Sequence, residues 1–314
     1  MMKIAIITAC TNRKKIPPSS LLCANNLPVG DQNDLLYSWK KRVNESPYSD
    51  RIPVTSLYAG RGFFEILKTI KNNHKIQLWV VSAGLGLVNG EEKVPSYNLT
   101  ISPSTRDSIQ NKLIDGMQFD YRSWWHEINS KLNYNDNHLS SLIKARKDTI
   151  FVISLPKSYL DFVASDLFSL DERSLSRVRF LGSNSISFVP EIAKDFVMPY
   201  DERFDGPESI NPGTRSDFFQ RITRHFVECI LPYNLSATHK EHAKTVQDFL
   251  LPMRLPLRVK RAQKTNKEIE KIIKKNWDEC AGSSAKMLRI LRDNELVACE
   301  QSRFAIIFKQ LKLQ

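Results

Sequence analysis

The sequence predicts an α/β fold: a three-layer sandwich on a central, mainly parallel sheet, followed by a small helical unit at the C-terminus. Three observations predict it. Short apolar runs rich in β-branched residues, at Met2–Ala9, Leu78–Val81 and Thr149–Ser154, have the pattern of strands buried on both faces. Amphipathic helical stretches alternate with them, as parallel strands require. From Arg254 to Lys275, nine Lys/Arg face two Glu, a net of +7, ahead of two short helical patterns around a glycine turn. At 314 residues the chain exceeds one typical domain. The expected division is 1–235 for the α/β domain, 236–262 for a basic linker or arm, and 263–314 for a helix-turn-helix or winged-helix module.

In chain order, the first strand runs into Cys10-Thr11-Asn12-Arg13-Lys14-Lys15, and Pro17-Pro18 keep the next segment from being helical. Asp34–Val43 reads as a helix carrying Leu35, Leu36, Tyr37 and Trp39, and Pro53–Tyr58 as an extended segment. Gly60-Arg61-Gly62 leads into an amphipathic helix over Phe63–Ile70. Backbone N–H groups there can cradle an anion, or the glycines can simply turn the chain. The strand Leu78–Val81 is followed by a loop holding Gly84, Gly86 and Gly90, then by Tyr97-Asn98. Trp124-Trp125 lies in a helical stretch and reads first as core. After Thr149–Ser154, Pro156-Lys157-Ser158 opens a helix through Val163, and Arg179–Leu181 is a short strand ending in Gly182-Ser183-Asn184-Ser185. Pro212-Gly213 is turn chemistry, and Thr214 or Ser216 caps a helix over Phe218–Leu231. Its start displays Arg215, Asp217, Gln220, Arg221 and Arg224. Thr265 and Glu268 form a capping box for the next helix, Gly282-Ser283-Ser284 opens another over Ala285–Arg292, and Arg303–Leu313 is the last.

The net charge of +12 and pI near 9.4 call for a polyanionic partner, nucleic acid before an anionic membrane surface. No run of eighteen apolar residues exists, so no membrane span is expected, and the N-terminus reads as a strand and not as a signal segment. Cytoplasmic residence is the expectation. Five scattered cysteines without a CxxC pair read as reduced thiols, and neither metal nor cofactor is expected. With no Walker motif and no complete G-x-G-x-x-G, nucleotide hydrolysis has no support.

In open α/β sheets ligands bind outside the carboxyl ends of the strands. Three strand ends, at Cys10–Lys15, Ser82–Gly86 and Gly182–Ser185, carry small and amide residues toward one rim.

Four stretches resemble a known family. These are Ile6-Ile7-Thr8-Ala9-Cys10, Leu57-Tyr58-Ala59-Gly60, Ser82-Ala83-Gly84-Leu85-Gly86-Leu87 and Pro95-Ser96-Tyr97-Asn98. Over roughly the first two thirds the chain is similar to the YaaA-like family of uncharacterised-domain proteins. The resemblance implies the three-layer fold of the uracil-DNA-glycosylase superfamily. With the basic C-terminal module, it also implies kinship with bacterial antiphage DNA glycosylases that excise modified bases. The chain departs from the uracil-excising pattern, since Thr11-Asn12-Arg13 and Ser183-Asn184-Ser185 stand where that superfamily's two boxes lie. The water-activating Asp of the first strand end is missing, which leaves the general base unassigned.

Base excision would need a flipped nucleotide, hydrogen bonds to its edge and a site for the leaving charge. Asn12, Asn98 and Asn184 can each donate and accept. Asn12, Asn184 and Asp217 are the expected catalytic residues, with Asp217 as the carboxylate that orients water or stabilises the sugar cation. Cys10, Arg13, Tyr58, Ser82, Gly84, Tyr97, Asn98, Ser183, Arg215 and Gln220 are the expected substrate contacts, with Tyr97 as a stacking face. Lys14, Lys15, Arg61, Arg258, Lys260, Arg261, Lys264, Lys286, Arg289 and Arg292 are the expected contacts to DNA, the one expected partner. Two alternatives stay open at this point: a base-exchanging transglycosylase of deazaguanine modification, and a DNA-binding protein without enzymatic activity.

Overall fold

Ile4, Ala5, Ile6 and Ile7 are almost wholly enclosed, the state that a continuous apolar run demands when both faces of a strand are covered. They lie on β1 (Lys3–Ala9), near the middle of a six-stranded sheet. The computed structural model describes residues 2–71, 73, 75–103, 105–132, 138–257 and 259–312, without the side chains of Lys131, Leu132 and Asn184. The other strands are β2 (Ile76–Ser82), β3 (Gly86–Asn89), β4 (Thr149–Ser154), β5 (Val178–Leu181) and β6 (Val197–Met198). Their order is β3-β2-β1-β4-β5-β6, parallel throughout except for the β2–β3 hairpin. In register, Ile6 stands between Leu78 and Val152.

Every residue of β4 is buried. Successive strand side chains point to opposite faces, so helices must cover both, as a three-layer arrangement does. The chain passes from β1 to β2 on one side and later to β4 on the other. The order of strand addition therefore reverses between the parallel strands β1 and β4, which opens a crevice outside their carboxyl ends.

The helices follow the sequence closely. α1 (Gln32–Glu45) starts at Asp31, whose carboxylate accepts from the N–H groups of Asn33 and Asp34. α2 (Arg61–Lys71), α3 (Tyr121–Leu132) and α4 (Lys157–Phe162) follow in turn, then α5 (Phe218–His225), continued as a wider turn to Ile230. Trp124 and Trp125 are fully enclosed on α3, with their indole N–H groups on Ala83 O and Asp166 Oδ2.

Three expectations change. Val54–Leu57, read as extended, is a helical turn. The glycine loop after β2 is a tight hairpin, because Gly86 already pairs with Ser82 and starts β3. The domain boundary lies at 255/256 and not at 235: the compact units are Met1–Leu255 and Pro256–Gln314. The first half of the expected linker holds α6 (His239–Leu250), which buries Val246 and Leu250 in the first unit's core together with Met253. Buried Arg179 ties this helix to β5: its Nε donates to His242 Nδ1 at 3.0 Å and its remaining N–H groups reach carbonyls of Ser176, Val178 and Ala237.

The second unit has its own core of Ile269, Ile273, Met287, Leu291, Phe304 and Phe308. It contains α7 (Asn266–Lys275), opened by the Thr265/Glu268 capping box, α8 (Ser284–Arg289), capped by Ser283, and α9 (Gln301–Lys312). The two-residue strands Ala262–Gln263 and Val297–Ala298 pair in parallel, so they are not the hairpin that would make a wing. Among the described residues no helix is long and apolar enough to cross a membrane.

Candidate functional site

The β1 end is fixed by main-chain bonds to the segment before α2. Lys15 N donates to Leu57 O and Ala59 N to Arg13 O, both at 2.9 Å, and Thr11 Oγ1 donates to Ala59 O at 2.9 Å. This stitching holds Asn12–Lys15 against Tyr58.

Behind the rim lies a closed hydroxyl cluster. The Tyr97 OH is 2.8 Å from the Tyr58 OH and 2.6 Å from Ser82 Oγ, which accepts from Leu85 N at 3.0 Å. At the β1/β4 crevice, Cys10 Sγ lies 3.1 Å from the Tyr159 OH. Burial pushes all three phenols above their ordinary range, so they remain protonated donors. The Lys14 ammonium sits 4.3 Å from the centre of the Tyr97 ring and 6.0 Å from that of Tyr58. Burial lowers its affinity for the proton, an effect opposed in part by nearby Cys10, Asp107 and Cys23. Tyr97 is thus no stacking platform: it is wholly enclosed and Lys14 covers its face.

In front of this cluster, Asn12 and Asn98 line one hollow of about 140 Å³, together with Thr100, Arg106 and Asp107. The Asn98 main chain is pinned, its N–H on Leu22 O and its O taking Ala24 N–H, both at 2.7 Å. Oriented to satisfy its neighbours, the Asn25 amide donates to Asp107 Oδ1 at 2.8 Å and accepts from Arg106 at 3.0 and 3.1 Å. Thr100 also lines a second hollow of about 320 Å³, where Tyr121, Lys157, Tyr159 and Asp161 stand. The two hollows meet at Thr100.

Asp217 is elsewhere. Its Oδ1 accepts from Thr214 N and from Arg221 Nε, each at 2.7 Å, while Arg61 Nε lies 2.9 Å from Oδ2. Burial would raise its pKa, and the bonds from Arg221 and Thr214 outweigh that and lower it. It closes a capping box and neutralises two arginines, and it lines neither hollow. Arg215 is exposed on the same turn, and Gln220 packs against Gly62. Ser183 Oγ donates to Tyr200 O at 3.0 Å, and Asn184's side chain lies outside the described residues.

The rim therefore gathers Cys10, Asn12, Lys14 and Asn98, with Tyr58, Ser82, Gly84 and Tyr97 buried behind it, whereas Asp217, Gln220 and Arg215 form a separate group beside Arg61. Asp107, Arg106 and Tyr159 were missed. They sit in stretches with no motif, and only folding brings them to the rim.

In the second unit Lys260, Lys286 and Arg289 are exposed, and Lys264 is half-buried, while Arg258 lies outside the described residues. Arg261 and Arg292 spend donors on the unit itself, Arg261 on Arg292 O and Asp293, Arg292 on Cys299 O. With Arg303 they line an open hollow of about 580 Å³ whose one acidic member is Glu300. Among the described residues no group of three or more His, Cys, Asp or Glu is placed to hold a metal ion. No family model, no curated protein and no solved structure matches this chain.

Proposed function

We propose that the protein is a DNA glycosylase that takes a modified base into the crevice at the carboxyl ends of β1 and β4 and hydrolyses its N-glycosidic bond. One observation carries the reading: Asn12 and Asn98, from separate parts of the chain, line a single hollow with Asp107. Two amides that donate and accept can read the edge of an extruded base. When the glycosidic bond breaks, its electron pair leaves with the base and the sugar becomes cationic. Asp107 is the carboxylate that faces the sugar cation and directs water to C1′, and Arg106 and Lys14 offset the charge on the departing base. This takes the role expected of Asp217, whose Oδ1 accepts from Arg221 and Thr214 N, whose Oδ2 faces Arg61, and which lines neither hollow. The net charge of +12, and the exposed Lys260, Lys286 and Arg289, supply the pull on the phosphate backbone. The helical second unit is compatible with a helix-turn-helix role in that binding.

The test is mass spectrometry of bases released from unmodified and heavily modified phage DNA, with abasic sites counted in parallel. Wild-type protein should release a modified base, and Asp107→Asn should slow release at least about 100-fold. Release from no DNA, or an undiminished rate for Asp107→Asn, would sink the proposal.

A further inference from the structure

We infer that Lys14 forms an imine with the aldehyde of an abasic sugar, which makes the protein an abasic-site lyase as well. The inference rests on the glycosylase reading for the source of its substrate in a cell, and its chemistry can be tested without it.

The geometry singles out this amine. Its main chain is held on both sides by the bonds Lys15 N–Leu57 O and Ala59 N–Arg13 O, so the side chain leaves the β1 end from a fixed point. Among the described residues no carboxylate lies within ion-pair distance of its Nζ, which rests instead on the Tyr97 ring. Lys244 and Lys3, by contrast, sit beside Asp248 and Asp148. An aromatic face holds the amine in place without accepting a hydrogen bond in line, and leaves the nitrogen's donors for other work. Asp107, whose charge opposes the effect of burial on Lys14, lines the hollow proposed to take the sugar. Burial favours the neutral amine, the form that attacks a carbonyl. A guanidinium in this place could not do so, because it does not lose its proton in the accessible pH range.

The chemistry balances with water alone. The neutral Lys14 amine adds to C1′ of the ring-opened sugar, and the hydroxyl of the adduct takes a proton from solvent and departs as water, leaving a protonated imine. A base, for which Asp107 is positioned, removes a proton from C2′. The electrons move to break the C3′–O bond, and the 3′ strand leaves with its 5′-phosphate. Water then hydrolyses the imine, which frees the unsaturated aldehyde and returns the amine.

The experiment uses the full chain and a duplex with one preformed abasic site, so that no base need be excised. Borohydride added during incubation should trap a covalent protein–DNA adduct. Peptide mapping of the wild-type adduct should place it on Lys14, and Lys14→Arg should lower trapping and strand cleavage at least tenfold. No adduct, or an adduct mapped to another amine, would overturn the inference, and this mapping does not depend on the variant's folding. Base release from modified phage DNA is measured in parallel. If that fails while the Lys14 adduct forms, the glycosylase reading falls and the lyase inference stands.

Discussion

Asp217 Oδ1 lies 2.7 Å from Arg221 Nε, with the two side chains only 2% and 1% exposed. The pair is supported by Asp205, 2.6 Å from Arg221 on its other side, and by Arg61 on Asp217 Oδ2. Removing one partner of a buried pair leaves an uncompensated charge and costs about 3–5 kcal/mol. Asp205 still faces Arg221, so Asp217→Asn is expected to destabilise the protein by about 3 kcal/mol, with activity falling only as far as folding does. Urea denaturation beside a rate measured on folded protein separates the two. A stable variant that is inactive would return Asp217 to the reaction.

Gly84, buried behind the rim, is a second point that resists change. A Cβ there would stand 2.7 Å from Tyr97 Cε2 and 3.2 Å from Trp39 Cζ2. Tyr97 cannot yield easily, because its hydroxyl is held by Tyr58 and Ser82, and Trp39 Nε1 is itself bonded to Gly84 O at 2.7 Å. Gly84→Ala should therefore cost about 1–3 kcal/mol by overpacking. It should also shift Lys14 from the ring. A thermal melt within a degree of wild type would show that the hairpin has more slack than these contacts imply.

The sheet was legible because its strands are apolar runs with no alternation, a pattern that only burial on both faces explains. Two helices of the second unit were legible through caps, since Thr265 and Ser283 sit where the side chain takes an N–H, whereas the first helix was read from Asp34 and its cap, Asp31, was missed. The chain from 236 to 255 was misread because it was grouped with the strongly basic stretch that follows, although its own charges nearly cancel and Ala243, Val246, Phe249 and Leu250 recur at helical spacing. Within the site, strand-end residues were accessible to reasoning because topology sends strand ends to one rim. Asp107 was not, since it reaches the rim from an unpatterned stretch, and Tyr159 was not, since a helix pattern alone does not say which of its residues turns toward Cys10. Asp217 misled for a related reason: a capping carboxylate and a catalytic one look alike in sequence.

If the second unit binds DNA as proposed, the binding should carry a salt signature. Lys260, Lys286 and Arg289 are exposed and free of the backbone bonds that occupy Arg261 and Arg292. Replacing the three by alanine should weaken binding to all duplex sequences alike. It should also reduce the slope of log K against log salt by about 0.9 for each lost phosphate contact. Fluorescence anisotropy at several salt concentrations gives that slope. An unchanged slope would place the DNA contact on another surface.

Acid should destabilise the first unit well before its carboxylates titrate. His225 is 4% exposed, its Nδ1 lies 2.6 Å from the Tyr200 OH, and the Phe249 ring is centred 4.1 Å from its own. Burial lowers its pKa to about 4, against 6.5 for the unfolded chain. Below pH 6.5 the unfolded state therefore takes up a proton that the folded state refuses, so stability falls as pH falls and is complete above that value. From pH 7 to pH 5 this one ring should remove about 2 kcal/mol. His242 and His239, also lowered first by burial, act in the same direction. Carboxylates of the unfolded chain begin to matter only near pH 4, so denaturation curves at pH 7, 6 and 5 isolate the histidines. His225→Gln should lower the plateau at pH 7 and flatten the decline below it. A decline equally steep in that variant would mean that another group takes up the proton.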